Sequence, residues 1–213
     1  MRLRLDGVRE LALVGAHCDD IAIGCGATVL RLAAANPGLV VRALVLSGGG
    51  TAREQEEHDA LATMLPDADV RLSVLDLPDG RLPDHRDRVK DALQRLAAIG
   101  STDLVLSPQR HDAHQDHRLL GELVPTAFRS ALHLGYEILK WESDLPVTTV
   151  LVPADEDVVA TKVAVIEKSY PSQSAHDWFD EEAFRALMRV RGAQCHERYA
   201  EGFVTDKTVL TLS

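Results

Sequence analysis

Two short stretches of the 213-residue chain concentrate groups that bind cations and move protons. The first, Ala16-His17-Cys18-Asp19-Asp20, sets one imidazole and two carboxylates close together. The second, His111-Asp112-Ala113-His114-Gln115-Asp116-His117, holds five imidazole or carboxylate groups in seven residues. A lone His-x-Asp-Asp has a plain reading, in which an aspartate caps the coming helix and the histidine bonds locally, because Asp is a preferred N-cap residue. The second cluster exceeds what a solvated loop requires. Two imidazoles and one carboxylate with open positions suit a catalytic Zn²⁺, and the same set serves Fe²⁺.

The elements around the clusters must bring them together. Leu11-Ala12-Leu13-Val14 reads as a short buried strand and Ala27 to Ala35 as a helix, so the first cluster sits on a strand-to-helix loop. In an open α/β sheet such a loop lies at the carboxyl end of the strand, where ligands bind. Asn36-Pro37-Gly38 breaks the pattern before a second strand over 39–46, the turn Ser47-Gly48-Gly49-Gly50-Thr51, and a helix from Ala52 to about Leu65. A third strand over 70–75 leaves through the Pro78-Asp79-Gly80 turn, and a helix over about 87–98 leads to a fourth strand, 103–107, ahead of the second cluster. A helix from His117 to about Ala131, strands over 136–141 and 148–152, and a helix capped by Asp155 and running through Lys168 follow.

Strands alternating with helices over 11–131 predict a doubly wound, mostly parallel, Rossmann-like sheet with helices on both faces, formed by one α/β domain over 1–213. In the strand order 3-2-1-4-5, the first and fourth strands are neighbours and the switch point lies between them. That adjacency sets His17, Asp19 and Asp20 against His114 and His117.

Composition narrows the partners. Hydrophobic residues are 46% and charged residues 26%, an ordinary globular balance. The formal net charge of −10 argues against nucleic acid or an anionic membrane surface, which need clustered Lys and Arg. Three cysteines, Cys18, Cys25 and Cys195, without C-x-x-C spacing predict reduced thiols. The N-terminal residues lack a continuous apolar signal core, and no run approaches the roughly 20 apolar residues of a membrane span, so a cytoplasmic location is expected. Self-association is left open. Gly24-x-Gly26 opens a helix after a strand, but G-x-G-x-x-G fails at Val29, and the two carboxylates in the turn would repel a pyrophosphate. No G-x-S-x-G elbow is present for a serine hydrolase.

Together the clusters resemble the PIG-L/LmbE family of N-acetylglucosaminyl deacetylases, whose motifs are Ala-His-Pro-Asp-Asp with a glycine-rich helix start, and His-x-Asp-His. Here these stand as Ala16-His17-Cys18-Asp19-Asp20, Gly24-x-Gly26 and His114-Gln115-Asp116-His117, with Cys18 where the family has proline. Looser likenesses occur at Arg53 and Glu57, at Asp79-Gly80, at Ser172-Gln173, at Arg191-Gly192 and at Tyr199-Ala200-Glu201-Gly202-Phe203. The resemblance implies that His17, Asp20 and His117 hold a divalent ion, zinc first and Fe²⁺ or another metal second. It leaves Asp19 to take a proton from water, and His114 to stabilise an oxyanion or protonate a leaving amine. Asp116 orients an imidazole. Arg53 and Asp79 then contact the substrate, an N-acetylated glucosamine-type sugar or glycoconjugate. Two alternatives stand beside this: an amidase for a larger sugar-linked thiol conjugate, and a sugar- or metal-binding domain without catalysis. His111 and Asp112 are divided between pocket lining and solvated loop, and His58, His85, His133, His176 and His196 are expected at the surface or in structural roles.

Overall fold

The computed structural model describes residues 2–209. Its frame is one seven-stranded sheet in the order β3-β2-β1-β4-β5-β7-β6, comprising β1 (Glu10–Gly15), β2 (Val40–Ser47), β3 (Asp69–Leu77), β4 (Leu104–Pro108), β5 (Leu132–Tyr136), β6 (Val150–Ala154) and β7 (Tyr199–Val204). The first five strands pair in parallel and in the predicted order, and β7 pairs antiparallel with both β5 and β6.

Apolar residues on both faces of the central strands explain why helices cover both sides. Leu11 and Leu13 of β1 point into one core with Val41, Val45, Leu61 and Ile166, while Ala12 and Val14 point into a second with Leu46, Val89, Leu93 and Leu120. The first core is roofed by α1 (Asp20–Ala35), α2 (Ala52–Met64), α5 (Glu156–Ser169) and α6 (Glu181–Gln194); α3 (Arg86–Ala98) and α4 (Gln115–Ala127) pack together over the second. No described helix is long and apolar enough to cross a membrane.

Three local expectations are corrected. Helix α1 begins at Asp20 rather than near Ala27, and is broken at Cys25 (φ −143°, ψ 15°). Glu201 of β7 accepts the amides of Ala27 (2.9 Å) and Thr28 (2.7 Å) beyond the break, and Lys162 bridges Glu201 to the Ile23 carbonyl. Of the expected strand over 136–141 only Tyr136 is in a strand: β5 begins four residues earlier, at Leu132, and Lys140 lies beyond it, where it reaches the carboxylates of Asp112 and Asp144. Helix α6 and strand β7 complete the sheet where only loose motif likenesses stood in the sequence.

The glycine at position 24 has a packing reason. A Cβ there would meet Cδ2 of Tyr136 at 2.2 Å, and that ring is fixed by its hydroxyl, which donates to the Val14 carbonyl at 2.7 Å. The glycines that open α1 thus admit side chains from β5 and α5, not a phosphate.

Candidate metal centre

The parallel pairing of β1 with β4 ends both strands at the same edge, and the two clusters meet there. Two imidazole nitrogens and the two oxygens of one carboxylate converge. His17 Nδ1 lies 3.2 Å from His117 Nε2, which lies 3.3 Å from Asp20 Oδ1; His17 Nδ1 lies 3.7 Å from Asp20 Oδ2. A zinc ion with ligands at about 2.0–2.1 Å in a tetrahedron sets its donors roughly 3.3 Å apart, so this spacing fits a divalent ion. All three side chains are buried.

A carboxylate lies behind each imidazole, the place from which such a partner fixes tautomer and ring orientation around a metal; Asp116 is hydrogen-bonded to His17, and Asp112 meets His117 as an ion pair. Asp112 Oδ2 sits 3.1 Å from His117 Nδ1, and Asp116 Oδ2 sits 3.1 Å from His17 Nε2. Asp116 is itself locked by the amides of Gly80 and Leu82, at 2.8 and 3.0 Å, which ties the loop after β3 to the start of α4. Asp20 Oδ2 accepts the amides of Ala16 and His17, at 2.8 and 3.0 Å. Burial alone would lower His17 and His117, yet their carboxylate partners outweigh it and raise both, His117 to about 9. Burial would raise Asp20, but the two histidines hold it well below the usual carboxylate range. The cluster as folded favours positive charge at its centre.

Asp19 stands apart from this set. Its backbone has φ 128°, a conformation side chains rarely adopt, and its carboxylate does not cap α1. Burial and the neighbouring Asp20 push its carboxyl up to about 7, against the pull of Arg53. Two residues of α2 reach it: Arg53 Nη2 lies 3.1 Å from Asp19 Oδ2 and also donates to the Cys18 carbonyl, and Glu57 Oε2 accepts the Asp19 amide at 3.0 Å. The same Glu57 oxygen accepts the Tyr170 hydroxyl at 2.8 Å. Burial raises Glu57 to about 8.

His114 is the N-cap of α4, its Nδ1 accepting the Asp116 amide at 3.3 Å. Burial and the charges of His117 and His17 lower it, and with Nδ1 turned to the Asp116 amide, Nε2 is the ring nitrogen left to donate. Its ring centre is 4.8 Å from those of both His17 and His117. His17, His114 and His117 thus form a second set of donors close enough to share an ion, and a third set joins His17, Asp79, His114 and Asp116. Asp79 Oδ1 lies 2.9 Å from His17 Nε2, which draws its carboxyl down to about 2, while most of its side chain faces solvent.

The candidate catalytic and metal-binding residues of the two clusters therefore lie within one connected network, with Arg53 and Asp79 at its rim. Asp112, read in the sequence as divided between pocket and loop, is buried and backs His117, while His111 is exposed. In the sequence Glu57 stands out only as part of a motif likeness. Its signal was an acidic residue in line with Ala60, Leu61 and Met64, the buried stripe of α2.

Known proteins share this arrangement of chain. A family model described as PIG-L, GlcNAc-PI de-N-acetylase, matches residues 12–128, more than half of the sequence. The chain is 28% identical over 171 residues to the uncharacterized deacetylase YaiS of Escherichia coli (strain K12), covering 75% of this chain and 90% of that one. Among solved structures, the conserved protein TT1542 from Thermus thermophilus superposes with a TM-score of 0.72 at 25% identity, over 97% of this chain and 98% of the other. The N,N'-diacetylchitobiose deacetylase from Pyrococcus horikoshii gives 0.72 at 21% identity, over 92% and 83%.

Proposed function

The chain belongs to the PIG-L family, and from that premise we propose that it is a metal-dependent hydrolase that removes the N-acetyl group from a glucosamine-type sugar or glycoconjugate. One observation carries the reading: two imidazole nitrogens 3.2 Å apart meet the Asp20 carboxylate, at 3.3 Å to Oδ1 and 3.7 Å to Oδ2, while a second carboxylate, Asp19, stays outside the donor set beside them. A fold alone would not carry it, because function lives in the site.

His17, Asp20 and His117 would hold the ion, with zinc the reading that suits two nitrogens and one oxygen. The ion supplies a Lewis acid that polarises the acyl carbonyl and eases deprotonation of water. Asp19 Oδ1 or Oδ2 takes the proton from the attacking water, a role open to a carboxylate that stands beside the donor set without joining it. Arg53 steadies that carboxylate through Oδ2. His114 donates a hydrogen bond from Nε2 to the oxygen that becomes negative as the amide carbonyl is attacked, and the proton that Asp19 took from water passes to the leaving amine. Arg53 and Asp79, more exposed than the donors they touch, would contact sugar hydroxyls. The substrate is a small N-acetylated molecule met in the cytoplasm.

Release of acetate and free amine from a panel of N-acetylglucosaminides, measured beside release from sugar-linked thiol conjugates, tests the proposal. Turnover of the first group supports it. Turnover of the conjugates alone favours an amidase, and saturable binding without release from either favours a binding domain.

A further inference from the structure

We propose that Glu57 is a positioning residue that sets the proton-accepting carboxylate of Asp19 by holding its backbone, with Tyr170 locking Glu57 in place. The inference rests on the deacetylase reading for the role of Asp19, but the clamp itself is a matter of geometry. At φ 128° and ψ −27°, Asp19 occupies a conformation that an L residue does not keep unless its surroundings impose it. Helix α2 imposes it from two points one turn apart. Arg53 reaches the Asp19 side chain and the Cys18 carbonyl, and Glu57 takes the Asp19 amide.

Glu57 is fully buried, in the stripe of α2 that otherwise packs Ala60, Leu61 and Met64 against the core. Its Oε1 has no hydrogen-bond partner, while Oε2 takes both the Asp19 amide and the Tyr170 hydroxyl. A carboxylate in that stripe stabilises the fold less than an apolar residue would. Its hydrogen bonds are to the Asp19 amide and to the Tyr170 hydroxyl, and only the first reaches the site. Tyr170 is buried as well and follows the C-terminus of α5, so two helices from distant parts of the sequence converge on one amide.

The metal donors do not depend on this clamp. His117 is backed by Asp112, His17 by Asp116, and Asp20 by the amides of Ala16 and His17. Loss of Glu57 would orphan the Asp19 amide, let its peptide relax from the strained conformation, and shift the carboxylate while the donor set stays. A displaced base slows the chemical step without loosening substrate.

The test uses the full chain with zinc bound. Glu57→Ala should lower kcat about tenfold to a hundredfold, with KM and zinc affinity within about twofold of the parent. Glu57→Gln keeps a carbonyl oxygen for the Asp19 amide and should recover most of that loss. Tyr170→Phe, which leaves α2 intact, should shift kcat in the same direction. In the Asp19→Asn background Glu57→Ala should add no further loss, since it acts through that carboxylate. Hydrogen exchange of the Asp19 amide, read by NMR without substrate, should quicken in Glu57→Ala and stay slow in Glu57→Gln. Unchanged exchange in Glu57→Ala, or an equal loss of kcat in the parent and Asp19→Asn backgrounds, overturns the proposal. A protein that releases no acetate at all would count against the deacetylase reading, and the exchange measurement would still decide whether Glu57 holds Asp19.

Discussion

Asp112→Asn isolates the charge that stands behind His117. The side chain is buried, with Oδ2 3.1 Å from His117 Nδ1 and 3.0 Å from Lys140 Nζ, and with Oδ1 accepting the His114 amide at 2.8 Å. Asparagine preserves the volume and can still accept the His114 amide, so the turn into α4 should survive. What it removes is the negative charge that makes the His117 imidazole a better donor. Lys140 keeps an acidic partner in Asp144 at 2.6 Å, so no buried cation is stranded. Losing such a support costs about tenfold to a hundredfold in metal affinity, or about 1.4–2.7 kcal/mol. Competition for zinc against a chromogenic chelator measures the change, and circular dichroism checks that the fold is intact. A folded variant whose zinc affinity lies within about twofold of the parent would refute the idea that Asp112 tunes the site.

Asp19→Asn should keep the metal and lower the chemical step by at least about a hundredfold, the scale of a lost general base; if it strips the metal while Asp20→Asn retains it, the two aspartates have exchanged roles. His133, bonded to Ser107 at 2.8 Å, is lowered by burial to about 4. Its folded pKa lies below the value of about 6.5 in an unfolded chain, so the unfolded state takes up the proton first as pH falls. This contribution to stability is therefore present above about pH 6.5 and is lost toward pH 4, by about 3 kcal/mol in total. Denaturation of the parent and of His133→Asn should differ by an amount that shrinks across that window, and a pH-independent difference would contradict the assignment. Gly24→Ala should destabilise the fold by about 1–3 kcal/mol or more, because the new methyl group meets the anchored Tyr136 ring; a denaturant midpoint equal to that of the parent would show that the ring can yield.

The parallel half of the sheet was legible because β1, β2 and β4 are nearly continuous apolar runs separated by helix-period segments, and both clusters follow such runs directly. That placement alone sets His17, Asp20 and His117 at one edge of the sheet. The C-terminal third was harder to read. Strand β5 carries His133 and Gly135 within its five residues, and β7 carries Glu201, a buried charge whose partners are the amides of Ala27 and Thr28, more than 170 positions away. Periodicity registers neither long-range pairing nor a carboxylate that caps a helix break. The same limit hid the supports of the site. Nothing local marks Asp112 as the partner of His117 rather than of solvent, and Glu57 meets Asp19 only because α2 packs beside the first cluster. Motif likeness marks Arg53 as a substrate contact; its pairing with Asp19 depends on the strained turn at Asp19, which has no signature in residue type.

The most direct measurement of the central claim is acetate and amine production from one N-acetylglucosaminide by protein stripped of metal and then reloaded with one equivalent of zinc. The account predicts equal amounts of the two products, no turnover in the stripped protein despite an unchanged circular dichroism spectrum, and recovery on reloading that His117→Ala does not show. Full activity in the stripped protein would contradict it.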